Sequence, residues 1–277
     1  MCLIVLAWRT YPDHRLIVAA NRDEYFGRPS APAGFWDDHP NVLAGRDLQA
    51  GGTWLGITLE GRFAALTNYR NPADKRDSAP SRGALVSDFL TGKMTPREYL
   101  QGVEKRAVSY NGFSLLAGDA TSLYFLSNRG GHTTRVEPGI HGLSNHLLDT
   151  PWPKVEKSKA SLGKQLEAPF DEAAVFRLLD DPEHAPSATL PSTGVSLELE
   201  ERLSAIRILA VGGYGTRCST ALRFGEDNRI EFHERSYDEE GGVSNTVSYR
   251  LTLERGKGRA SSRRAESLPP KTPLPAR

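Results

Sequence analysis

Short runs of apolar and β-branched residues recur along the whole chain, most of them closed by Gly, Pro, Asp or Asn, and this rhythm restricts the fold more than any other feature. They lie at 2–8, 15–20, 53–59, 62–68, 112–118, 122–126, 217–224, 229–234 and 246–253, each of ordinary strand length. Helix-period segments fall between them at 82–90, 96–108, 152–166 and 171–179. Thr95 before Pro96 and Asp171 stand where helix N-caps belong. Strands in series with helices in blocks predict an α+β protein built on layered sheets rather than an alternating parallel sheet. Leu55 to Leu59 and Arg62 to Leu66, separated by Glu60-Gly61, read as a hairpin with a two-residue turn.

The chain has 277 residues, 38% of them hydrophobic and 25% charged, which fits one globular domain or two joined halves. Net charge is +1, but residues 256–277 hold six basic side chains against one acidic, so residues 1–255 carry the opposite sign. That proline-rich tail cannot bury enough apolar surface to offset its ordering entropy and is expected to be disordered. It has no aromatics to stack on bases, so it reads as a solvated appendage and not a nucleic-acid arm. The first run spans seven residues, has no basic leader and ends at Arg9, which predicts neither a signal peptide nor a membrane span. With two distant cysteines, Cys2 and Cys218, and no Asn-x-Ser/Thr acceptor, a reducing, cytoplasmic setting is expected.

Several chemistries fail on spacing. There is no HExxH and no Cys-x-x-Cys, so no metal or cofactor is expected. Gly212 to Arg217 fits neither nucleotide-binding glycine pattern, and Gly142-Leu143-Ser144-Asn145 starts a serine elbow whose closing glycine is His146. Cys2 is different. If Met1 is removed, this residue carries both a thiol and a free α-amine, with a pKa of roughly 7.7 to 8.0, so that one residue supplies nucleophile and base. By position alone, a buried structural cysteine on a first strand competes with that reading. Asn21-Arg22-Asp23-Glu24 follows the second run without a turn glycine before Gly27. Taken alone it reads as a solvated loop with an Arg22–Glu24 surface pair worth at most about 1 kcal/mol.

Together, Met1-Cys2, Asn21 to Glu24, Gly51 to Gly56, Thr67 to Arg70, Gly142 to Asn145 and Tyr214 to Thr220 closely resemble the NRDE family, also called the transport and Golgi organisation protein 2 family. The resemblance covers residues 1–255. That family is similar to the N-terminal-nucleophile hydrolases and, more distantly, to penicillin V acylase and bile salt hydrolase. The resemblance implies a four-layer αββα sandwich with two stacked antiparallel sheets. It implies that Cys2 is the nucleophile, that Asp23 orients its amine, and that Asn68 and Asn145 help form an oxyanion hole. Arg217, or alternatively Arg223, corresponds to the late arginine of the acylases. Ala20 stands where those enzymes have an arginine, so either Arg22 replaces that charge from the opposite face or the ancestral amidase activity is absent. Asn21, Arg22, Trp54 and Tyr69 are assigned to the substrate pocket. Read without the resemblance, Asn68 and Asn145 suit turn closure and Trp54 suits a core.

The implied function is hydrolysis of a linear carbon–nitrogen amide bond after Met1 removal. The competing reading is a non-catalytic protein that binds and moves haem, a lipid or an acyl-CoA in the same pocket. In either case the expected partner is a small-molecule amide, lipid or haem-like ligand, with oligomeric state open.

Overall fold

The computed structural model describes residues 2–11 and 13–253; Met1 and the expected disordered tail at 256–277 lie outside the described residues. Strands run at Cys2–Tyr11 (β1), His14–Tyr25 (β2), Ser30–Phe35 (β3), Val42–Asp47 (β4), Leu55–Thr58 (β5), Phe63–Asn68 (β6), Phe113–Gly118 (β7), Leu123–Ser127 (β8), Thr134–Arg135 (β9), Gly139–Leu143 (β10), Tyr214–Gly225 (β11), Arg229–Tyr237 (β12) and Val243–Thr252 (β13). Helices run at Gly83–Thr91 (α1), Pro96–Arg106 (α2), Pro153–Gln165 (α3), Glu172–Leu179 (α4) and Leu197–Arg202 (α5). One antiparallel sheet is ordered β10-β1-β2-β11-β12-β13 and the other β3-β4-β5-β6-β7-β8-β9.

Side-chain alternation turns these sheets into layers. Ile4, Leu6, Trp8, Val18 and Ala20 of the first sheet meet Leu55, Ile57, Phe63 and Ala65 of the second in one buried core. The intervening residues Leu3, Val5, Ile17 and Ala19 face away and pack on Val155 and Leu162 of α3 and Phe176 of α4. On the far side, Ala64, Leu66 and Leu115 are covered by Leu85 and Phe89 of α1 and by Leu100 of α2. The result is the expected α+β, four-layer αββα sandwich. β1 and β2 are buried on both faces, which is why they read as continuous apolar runs. Thr95 closes a capping box on α2 with Glu98, and the Asp171 side chain accepts from Ala173 N–H at the start of α4. Among the described residues no helix is long and apolar enough to cross a membrane.

Two local expectations need correction. The hairpin between β5 and β6 has a three-residue turn, Leu59 to Gly61: Thr58 N–H donates to Arg62 O at 2.9 Å and Gly61 N–H to Thr58 O at 2.9 Å. Gly61 sits at φ 80°, the left-handed position that such a turn requires. The Asn21 to Glu24 segment is no solvated loop. It lies inside β2, where cross-strand polar partners on β11 replace water, Ser219 opposite Asn21 and Thr216 opposite Asp23.

Candidate active site

Cys2 begins β1, an interior strand, and pairs in register with Arg22 on β2; Cys218 on β11 pairs with Arg22 from the other side. Since side chains alternate, Cys2, Ala20, Arg22 and Cys218 all face the other sheet. Arg22 therefore lies on the same face as Ala20, one pleat repeat further along, and not on the opposite face. At this end the sheets part into a cavity of about 640 Å³, whose lining includes Cys2, Arg22, Trp54, Asn68, Arg82 and Arg217. The second sheet reaches it through a close approach of two backbones. A Cβ on Gly52 would lie 2.5 Å from the Gly83 carbonyl carbon, and Thr53 N–H donates to Gly83 O at 3.3 Å. This seats the first turn of α1 against the entry to β5, with Arg82 in the cavity wall.

The Cys2 thiol is buried, and burial pushes its pKa up, opposed by Arg22 and by the Asp23 backbone N–H on the sulfur. It rests as a neutral thiol, so attack on a carbonyl needs a base at the sulfur. Asp23, 1% exposed, points to the helical side of the sheet, where its carboxylate accepts from the Thr216 hydroxyl at 2.7 Å. Burial pushes its pKa up as well, while Lys154, Thr216 and Arg70 favour the ionised form. Lys154 is 3% exposed, and burial lowers its pKa to about 8. Beside it, Arg70 and Glu200 close an ion pair at 2.5 Å with both side chains buried.

Cys2, Asn68 and Arg217 line one cavity together with Arg22 and Trp54; Asp23 borders it as well, while its carboxylate is turned to the helical side of the sheet. Asn145 is fully buried with φ 56°, and its side-chain amide donates to Asn68 O at 2.9 Å. Its own carbonyl accepts from Arg70 N–H at 2.7 Å, and Ser144 Oγ donates to Cys2 O at 3.1 Å. These bonds tie the ends of β6, β10 and β1 together beside Cys2. Asn21 faces the helices instead of the cavity: its amide donates to Leu179 O and Ile206 O, and its oxygen accepts from Ser219. Tyr69 lies behind the wall, its hydroxyl 2.6 Å from His146 Nε2. Of the two late arginines, Arg217 occupies a bulge of β11 and donates to Tyr25 O, Phe26 O and Arg28 O, whereas Arg223 is bonded to His14 and Glu231 away from the cavity.

Sequence reasoning missed Arg82, Glu234 and Lys154. Glu234 lines the cavity as a buried carboxyl that accepts from Ala33 N–H at 2.7 Å, and burial pushes its pKa up. Among the described residues no cluster of three or more His, Cys, Asp or Glu is arranged to hold a metal ion.

A family model described as Transport and Golgi organisation 2 matches residues 1–239. A mouse protein, Transport and Golgi organization 2 homolog, is 37% identical over 92% of this chain and 100% of its own length. The human Transport and Golgi organization protein 2 homolog is 36% identical over 92% of this chain and all of its own. Among solved structures, the penicillin V acylase of Agrobacterium tumefaciens superposes with a TM-score of 0.50 at 12% identity, covering 91% of this chain and 86% of that one. That similarity is one of fold.

Proposed function

The chain is a member of the Transport and Golgi organisation 2 family on an N-terminal-nucleophile hydrolase fold, and from that premise we propose that it hydrolyses linear carbon–nitrogen amide bonds once Met1 is removed. The observation that carries this reading is the position of Cys2. It heads an interior strand, its sulfur faces a cavity of about 640 Å³, and a buried aspartate lies on the adjacent strand. In the proposed reaction the Cys2 α-amine takes the thiol proton and sulfur attacks the amide carbon. Asn68 donates to the developing oxyanion from the opposite sheet, and Arg22 and Arg217 hold the polar end of the substrate. The amine returns the proton to the leaving nitrogen, the C–N bond breaks, and water hydrolyses the thioester by the same route.

The test is Cys2→Ser in protein whose N-terminus has been verified by intact mass. The exchange nearly preserves volume but replaces a thiol, which in an unperturbed cysteine ionises at about pH 8.5, with a hydroxyl that is far harder to ionise. Turnover of acyl amides and labelling by a thiol-directed acylating probe should collapse, while melting temperature barely moves. Undiminished turnover in stable Cys2→Ser protein would sink the enzyme reading. Wild-type protein that binds haem, lipid or acyl-CoA without any turnover would favour the carrier reading.

A further inference from the structure

Lys154 occupies a position that packing alone does not explain. It stands in the first turn of α3, where the helix dipole disfavours a cation, and it is 3% exposed, with no hydrogen-bond partner for its ammonium among the described residues. A buried ammonium without a bonded partner costs free energy, so something must hold it there. The charged and titratable groups close enough to act on it are Asp23 on β2, Glu200 on α5, Arg70 just after β6 and, across the sheet, Cys2 on β1, with Tyr214 on β11 close to Asp23. Glu200 is already satisfied: Arg70 binds one oxygen, and the Thr193 N–H and hydroxyl bind the other at 2.8 and 2.6 Å. Lys154 is therefore left to act on Asp23 and on the start of β1.

We propose that Lys154 is a positioning residue for the nucleophile, a buried positive charge that offsets Asp23 so that the freed Cys2 α-amine rests unprotonated at neutral pH. The idea rests on the hydrolase reading above and adds the device that reading needs. A buried carboxylate beside the α-amine orients it but also holds it as ammonium, in which form it cannot take the thiol proton. A buried cation near that carboxylate counters this, and it also favours the ionised form of Asp23 in a site where burial favours the neutral acid. Orientation by Asp23 and basicity at the amine become compatible only with both charges present.

The experiment uses full-length protein with verified N-terminal Cys2 carrying isotope-labelled cysteine. The α-amine is titrated by NMR, and the rate of Cys2 labelling by an acylating probe is followed across the same pH range. Lys154→Met, which keeps volume and removes charge, should raise both midpoints by about one pH unit, a roughly tenfold loss of labelling rate on the acid side. Lys154→Arg should keep the wild-type midpoints. Lys154→Gln takes the place of the Met variant if that variant does not accumulate as folded protein. A charge-removing variant whose melting temperature falls while both midpoints stay in place would show a structural lysine and overturn the inference. Absence of Cys2 labelling in wild-type protein at every pH would instead defeat the hydrolase reading, and the α-amine titration would still report on Lys154.

Discussion

At the scale of single residues, two ion pairs of similar chemistry differ sharply in consequence. Arg22 and Glu24 stand 3.9 Å apart with 12% and 26% of their side chains exposed, a loose pair worth under about 1 kcal/mol. Arg70 and Glu200 stand 2.5 Å apart at 5% and 2%, and the guanidinium also lies over the Trp152 ring. Arg70→Met strands a buried carboxylate and should cost about 3 to 5 kcal/mol in urea unfolding, whereas Arg70→Met combined with Glu200→Met should recover most of that loss. A double variant as unstable as the single one would show that the pair supports the fold through its other hydrogen bonds. Legibility differed for the same physical reason. Cys2, Asp23, Asn68 and Arg217, singled out in the sequence by motifs that resemble the family's, all border the cavity. Lys154 was not singled out, since a lysine in a helical pattern normally faces water and only the tertiary fold buries this one. Asn21 and Tyr69 belong to the same motifs, but their side chains serve the seams behind the cavity.

At the scale of elements, the junction between β10 and α3 is held by charge. His141 Nδ1 lies 2.6 Å from Asp149, Gly142 N–H donates to the same carboxylate at 2.9 Å, and Lys159 approaches it at 3.0 Å. Burial opposes ionisation of Asp149, yet His141, Gly142 and Lys159 together bring its pKa down to about 2. The bond to Asp149 likewise holds His141 above its ordinary range, against burial. A depressed carboxyl stabilises the fold above its unfolded pKa and loses that contribution as pH falls towards 2. A raised histidine contributes below its unfolded pKa, about 6.5, and loses it as pH rises through the folded value. The junction is thus strongest between about pH 4 and 6.5. Asp149→Asn should lower the melting temperature in that window and flatten its fall between about pH 4 and 2, as followed by circular dichroism. An unchanged acid limb would assign that limb to other carboxyls. The capped helices and the long strands could be predicted from pattern alone. β3, β4, β9, β10 and α5 could not: Pro32, Gly34, Gly45, Gly139 and Gly142 interrupt β3, β4 and β10, β9 is only the two residues Thr134–Arg135, and α5 carries Glu198, Glu200 and Glu201 with little apolar stripe.

At the scale of the whole molecule, the layered architecture followed from alternation and blockwise helices, but the site did not, because it gathers residues from opposite ends of the chain onto one cavity. The interior position of β1 has a temporal corollary. Its partners β2 and β10 arrive at very different moments of synthesis, and at bacterial-to-eukaryotic ribosome speeds the interval before residue 143 emerges is on the order of 10 s. Until then the leading segment lacks its second neighbour and is expected to be open to an aminopeptidase; afterwards the strand is paired on both edges and Cys2 is 7% exposed. Folded protein that still bears Met1 should therefore resist methionine aminopeptidase, and the same protein in urea mild enough for the protease should be trimmed, both read by intact mass. If the proposed hydrolase reaction holds, Met1 removal becomes a race between trimming and sheet closure, and a chain that closes first would keep its α-amine capped until the strand reopens.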